Sequence, residues 1–260
     1  MKKPLVLLLL ALAVCVAVAA VMLRSGTAEL TLYCGAGISP AADALIAAFS
    51  AQSGIRVSPT YNGSGLLLGQ ITANQKGDLF MPGADFYVDK ATTLGLAAED
   101  TKRVIGYFVP VIFVQKGNRH KIASLKDLTR PGLRLGIGDE RACAVGQQTL
   151  RILEKNAIPY ADIQKNVVCK TGTVNELGMA IQLRTVDAVI TWDTNARDCA
   201  KDGEIIPIPD QQNVISPISI VLLKSSRHPA ESRRFIEFVT SDRGKQILTA
   251  KGYRVQPPGK

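Results

Sequence analysis

One unit recurs along this chain and restricts its fold more than any other feature: a short β-type run, a loop of small residues, then an amphipathic helix. The run Leu30–Cys34 leads into Gly35-Ala36-Gly37-Ile38-Ser39-Pro40, and Ile55–Tyr61 leads into Asn62-Gly63-Ser64-Gly65. The loops Ala142–Gly146 and Lys170–Val174 stand in the same place later in the chain. Each loop opens a helix, whose first N–H groups have no partner within the helix and whose dipole presents partial positive charge. Such a terminus suits an anion. None of the four loops carries a catalytic base at its apex, and a chain with four such termini is expected to bind an oxyanion.

The helices are bounded by readable signals. Ser39 reads as an N-cap with Pro40 at the first helical position, apolar residues follow at Leu45, Ala48 and Phe49, and Gly54 ends the helix. Leu66–Ala73 reads as the second helix. Asp78–Met81 is a short strand, followed by a helix that runs to about Leu94. Thr173 and Glu176 match a capping box. Ser124 caps a short helix, Leu133–Gly138, Asn166–Cys169 and Ala188–Trp192 read as strands, and Val145–Lys155 as a helix. Two helices, Pro229–Thr240 and Ser241–Ala250, close the chain. The apolar stretch Val104–Gln115 reads as a strand buried on both faces, with Val214–Leu223 as its partner.

This alternation implies an α/β architecture of two lobes, each a mostly parallel sheet flanked by helices, with a ligand cleft between them. Residues 28–107 plus 217–260 would form lobe 1, and residues 108–216 lobe 2. In open parallel sheets a ligand lies beyond the carboxyl ends of the strands, where all four loops fall. Two loops come from each lobe.

Residues 1–27 are set apart as a signal peptide or membrane anchor. Met1-Lys2-Lys3 precedes an apolar run from Pro4 to Leu23, long enough to span a bilayer uncleaved yet also compatible with an export signal cut near Ala19. Both readings place the body outside the cytoplasm, in the periplasm or on the outer face of the membrane. Cys34, Cys143, Cys169 and Cys199 would then sit in an oxidising compartment, where three pairings into two disulfides are open. The cysteine spacing and only two histidines, His120 and His228, argue against a zinc site. The net charge of +9 is spread along the chain, with aromatics at 5%. There is no basic stripe interleaved with stacking rings, so nucleic acid is not an expected partner. Nor is there a Gly-x-Ser-x-Gly, His-Glu-x-x-His or Walker pattern, so the chain is not read as an enzyme, and no cofactor is expected.

The stretches LTLYCGAGISPAADALIAAFSAQSGIRVSPTYNGSG, GDLFMPGAD, VNELGMAIQLRTVDAVITWDTNA and TSDRGKQILTAKGY resemble the molybdate-binding proteins of ABC importers, a branch of the type II periplasmic binding proteins. The likeness spans about Leu30 to Tyr253. It implies a monomer that holds molybdate or tungstate through backbone N–H groups and hydroxyls, with no metal-ligating side chain, and passes it to a membrane permease. On that likeness Ser64 stands at a hydroxyl donor, Val145 and Val174 at backbone N–H donors, and Trp192 where many members have a tyrosine. Gly37 stands where a serine is usual, so Gly37, Ile38 and Ser39 are the candidates in the first loop, with Ser39 carrying the nearest hydroxyl. Asp139, Glu140 and Arg141 read as solvated loop charges. The alternatives are a membrane-anchored oxyanion sensor and a binder of sulfate or phosphate.

Overall fold

A computed structural model describes residues 28–257. The readings made of residues 1–27 lie outside the described part. In chain order the elements are β1 (Glu29–Gly35), a 3-10 turn (Ala36–Ile38), α1 (Ser39–Ser53), β2 (Arg56–Asn62), α2 (Ser64–Asn74), β3 (Leu79–Met81), α3 (Asp85–Thr93), β4 (Ala97–Phe108) and β5 (Pro110–Gln115). A 3-10 turn (Leu125–Thr129) precedes β6 (Leu135–Gly138), α4 (Ala144–Lys155), α5 (Tyr160–Gln164), β7 (Val167–Thr171), α6 (Val174–Gln182), β8 (Ala188–Trp192), α7 (Asp193–Asp198) and β9 (Gly203–Pro207). The chain ends with β10 (Ser216–Leu223), α8 (Pro229–Thr240) and α9 (Asp242–Ala250).

Two five-stranded sheets result, in the orders β2-β1-β3-β10-β4 and β7-β6-β8-β5-β9. In the first, β1 is parallel to β2 and β3, while β10 is antiparallel to both β3 and β4. In the second, β6 is parallel to β7 and β8, while β5 is antiparallel to β8 and β9. Each sheet therefore has a single reversed strand, β10 or β5, and both lie next to a point where the chain passes from one sheet to the other. The mostly parallel, helix-flanked, two-lobed arrangement read from the sequence is the observed one.

The stretch 104–115 corrects one expectation. It is not one strand but two, β4 in the first sheet and β5 in the second, and only β4 pairs with β10. The break falls at Val109, whose N–H donates to Asp193 Oδ1 at 3.3 Å and whose carbonyl accepts from the Asp193 N–H at 2.8 Å. With both backbone groups taken by Asp193, and with Pro110 lacking an N–H, the ladder cannot continue. Nor is β4 buried on both faces: Val104 is exposed, as expected for the last strand of its sheet.

Helix starts also differ in detail. Ser39 is the first residue of α1 rather than its cap; its hydroxyl donates to the Ala36 carbonyl at 2.9 Å across the 3-10 turn. The Thr173 hydroxyl donates to Glu176 Oε1 at 2.8 Å, and Glu176 Oε2 accepts from the Gly172 N–H at 3.2 Å, so no reciprocal capping box forms. The only true capping box of this kind among the described residues joins Ser124 and Asp127. Among the described residues Cys34, Cys143, Cys169 and Cys199 are all free thiols, so neither disulfide is formed.

Candidate functional site

The four loops meet. Gly35, Ala36, Gly37, Asn62, Gly63, Ser64 and Gly83 from the first half face Cys143, Ala144, Val174 and Trp192 from the second, around a cavity in which a water-sized sphere has about 10 Å³ of room. So small a space suits a compact solute and excludes one of many atoms. Larger hollows lie elsewhere, such as the one of about 470 Å³ bordered by Ser124, Lys126, Asn156 and Gln212, but no loop of the repeated unit lines them.

Ser64 is 2% exposed, and its Oγ accepts the Gly83 N–H at 3.0 Å. A hydroxyl has one proton and two acceptor positions. With the backbone occupying an acceptor position, the proton of Ser64 remains available to the cavity. Val174 is the first residue of α6, so its N–H is one of the unpaired donors of that helix. Trp192 is 1% exposed and stacks on Phe108, ring centroids 4.8 Å apart and planes 6° apart. Phe108 in turn packs against Tyr253, whose hydroxyl donates to the Gly37 carbonyl at 2.7 Å. The cavity wall is thereby tied to the last residue of β4, directly before the crossing at Val109.

Among the residues singled out from sequence, Gly37, Ser64, Val174 and Trp192 are brought together at the cavity. Ile38, Ser39 and Val145 are not part of its lining. Ile38 is fully buried in the core and the Ser39 proton is used by Ala36. Val145 is also fully buried, and in the third loop it is Cys143 and Ala144 that face the cavity. Gly37 has a clear reason to be glycine. A Cβ there would lie 2.8 Å from Val174 Cγ1, 3.1 Å from Asn195 Oδ1 and 3.2 Å from Trp192 Cδ1, so the space a side chain would need is filled from the opposite half.

Asp139 and Glu140, read from the sequence as solvated loop charges, both have partners here. Asp139 shapes the third loop: its Oδ1 accepts from the N–H groups of Arg141 at 2.8 Å and Ala142 at 3.0 Å, a turn that brings Cys143 to the start of α4. Glu140 pairs with Lys170 at 2.9 Å. Cys143 joins the wall as a neutral thiol, its pKa pushed up to about 11 by burial. Burial, and then Asp43, likewise pushes the Cys34 thiol well up. The lining holds no carboxylate and no ammonium or guanidinium group. Among the described residues no cluster of His, Cys, Asp or Glu could hold a metal ion.

Two sheets with loops converging on a cavity of backbone and hydroxyl donors define a two-lobed solute-binding protein. The chain belongs to the family of bacterial extracellular solute-binding proteins, whose model matches residues 30–254. It is 30% identical over 228 residues to a putative binding protein of Haemophilus influenzae, covering 87% of this chain and 91% of the relative. It is 26% identical over 229 residues to the molybdate-binding protein ModA of Mycobacterium bovis, covering 88% and 85%. Among solved structures, the sulfate-binding protein SubI from Mycobacterium tuberculosis H37Rv matches with a TM-score of 0.78 at 19% identity, covering 89% and 88%. Iron-bound HitA from Pseudomonas aeruginosa also shares the fold, so the fold alone leaves the ligand open. The family relationship makes this an extracellular solute-binding protein and not an enzyme. No helix of the described residues is long and apolar enough to cross a membrane.

Proposed function

We propose that this protein captures a fully deprotonated tetrahedral oxyanion, molybdate or tungstate, between its two halves and delivers it to the permease of an ABC importer. The observation that carries the reading is the composition of the cavity wall: helix N-termini and the Ser64 hydroxyl supply donors, and no ionised side chain is present. Hydrogen bonds to an ionised acceptor are strong, and fixed donors need no reorganisation as the lobes close. Donors fixed toward the cavity favour a ligand whose oxygens all accept over one that keeps a proton. Hydrogen phosphate is disfavoured on this ground. Sulfate satisfies the same charge rule and differs in size. Ferric ion would need tyrosinate, imidazole or carboxylate ligands, which the wall lacks. The likeness to a molybdate-binding relative supports the larger anions.

The test is a thermal-shift panel of molybdate, tungstate, sulfate, phosphate and chromate on the chain from Ala28 onward. A ligand at a hundred times its Kd stabilises the folded state by about 2.7 kcal/mol, which for a chain of this size raises Tm by roughly 5 to 10 °C. Molybdate or tungstate should give that rise and phosphate should not. A panel with no response refutes the proposal.

A further inference from the structure

We propose that Gly63 and Gly65 are closure residues, glycines demanded by the opposite half of the molecule and not by their own backbone, so that any side chain at either position holds the lobes apart. Neither has a positive φ, so their conformations suit any residue. Gly63 has φ −62° and ψ 141°, and Gly65 lies in the first turn of α2. Yet a Cβ on Gly63 would overlap the Gly172 carbonyl oxygen and stand 2.5 Å from that of Ala142. On Gly65 it would overlap the Arg141 carbonyl oxygen and stand 2.8 Å from the carbonyl carbon. All these obstacles are backbone atoms of the second half, which cannot rotate aside as a side chain can. An independent observation lies at the same seam: the Gly65 N–H donates to the Ala142 carbonyl at 2.8 Å, joining the second loop to the third. The inference rests on reading the cleft as the ligand site, since closure there encloses whatever the cleft holds.

Gly69 provides the control. It lies on the same helix, is exposed, and an added Cβ would meet nothing within 4 Å, so Gly69→Ala changes helix propensity alone. The readout is acrylamide quenching of Trp192, the single tryptophan of the chain, which is 1% exposed when the lobes meet. Wild type, Gly69→Ala, Gly65→Ala and Gly63→Ala are compared with and without sodium molybdate, with far-UV circular dichroism to verify folding. Wild type and Gly69→Ala should be protected, and Gly65→Ala and Gly63→Ala should be quenched about twofold more strongly or beyond, as the closed population falls. Having two variants at separate positions keeps the test open if one fails to fold. Equal protection in folded Gly65→Ala or Gly63→Ala and wild type overturns the proposal, as does free quenching of the wild type under both conditions. A contrast between Gly65→Ala and Gly69→Ala that persists while molybdate changes nothing upholds the closure role and counts against the oxyanion reading alone.

Discussion

Replacing Ser64 by alanine separates ligand binding from folding more cleanly than any other single change in the cavity. The Ser64 Oγ receives the Gly83 N–H at 3.0 Å, which leaves its only proton for the cavity. Losing a hydrogen bond to a charged acceptor costs about 1.5 to 3 kcal/mol, which corresponds to a rise in Kd of roughly tenfold to a hundredfold. The same substitution strips the Gly83 N–H of its acceptor. Because that group borders the cavity, water can reach it on opening, and the cost to the unliganded protein should stay near the lower end, about 1 kcal/mol, or roughly 2 to 4 °C in Tm. Calorimetric titration with molybdate measures the first quantity and thermal unfolding without ligand the second. A Kd for Ser64→Ala within twofold of wild type would refute the assignment of Ser64 as a donor. A fall in Tm with no loss of affinity would leave it a purely structural partner of Gly83.

Three further outcomes are expected. Gly37→Ser, which introduces the hydroxyl that the molybdate-binding pattern has there, should weaken binding in a calorimetric titration by about tenfold, because its Cβ would crowd Val174 Cγ1 at 2.8 Å and Trp192 Cδ1 at 3.2 Å. Asp187, a buried carboxylate, is held by Arg134 at 2.9 Å and Arg119 at 2.6 Å; its pKa falls well below the usual range, because bonds from Arg134 and Arg119 outweigh the opposing effect of burial. Its contribution to stability is therefore complete above the unfolded value near 4 and is lost as pH falls through the lower folded value. Asp187→Asn should cost roughly 2 kcal/mol at pH 7, discounted for the exposed guanidinium groups, and Tm should lose less in the variant than in wild type as pH drops below about 4. Binding affinity should be flat between about pH 6 and 9. The Cys143 thiol in the wall stays protonated up to about 11, and no other lining group titrates in that interval; titrations at several pH values check this.

Much of the fold and part of the site can be read along the chain, and the boundary between what can and cannot is physical. Strand, loop and helix succeed one another locally, so β1 with α1, β2 with α2 and β8 follow from periodicity and glycine placement. The edge strand β9 and the polar start of β4 escape such a reading, since an edge carries little of the apolar pattern on which strand recognition depends. The split of residues 104–115 at Val109 depends on Asp193, 84 positions away, and no local signal announces it. Within the site, Ser64 and Trp192 are legible from the loop pattern and the family likeness. Ser39 reads as a cap because Ser-Pro is a common helix start, while here a 3-10 turn takes up its hydroxyl. Gly63 and Gly65 read as ordinary turn glycines, and Gly37 as a site position that has lost its serine. What fixes them is the backbone and side chains of the other half, a long-range constraint that loop composition does not record.

In the proposed function one tetrahedral oxyanion is held between the lobes against Trp192. Titration of the chain from Ala28 onward with molybdate, followed by the fluorescence of Trp192, tests it most directly. A saturable change at one anion per chain is expected, weakened in Ser64→Ala and not reproduced by phosphate. An unchanged Trp192 signal across molybdate, tungstate and sulfate, in protein shown to be folded, would contradict it.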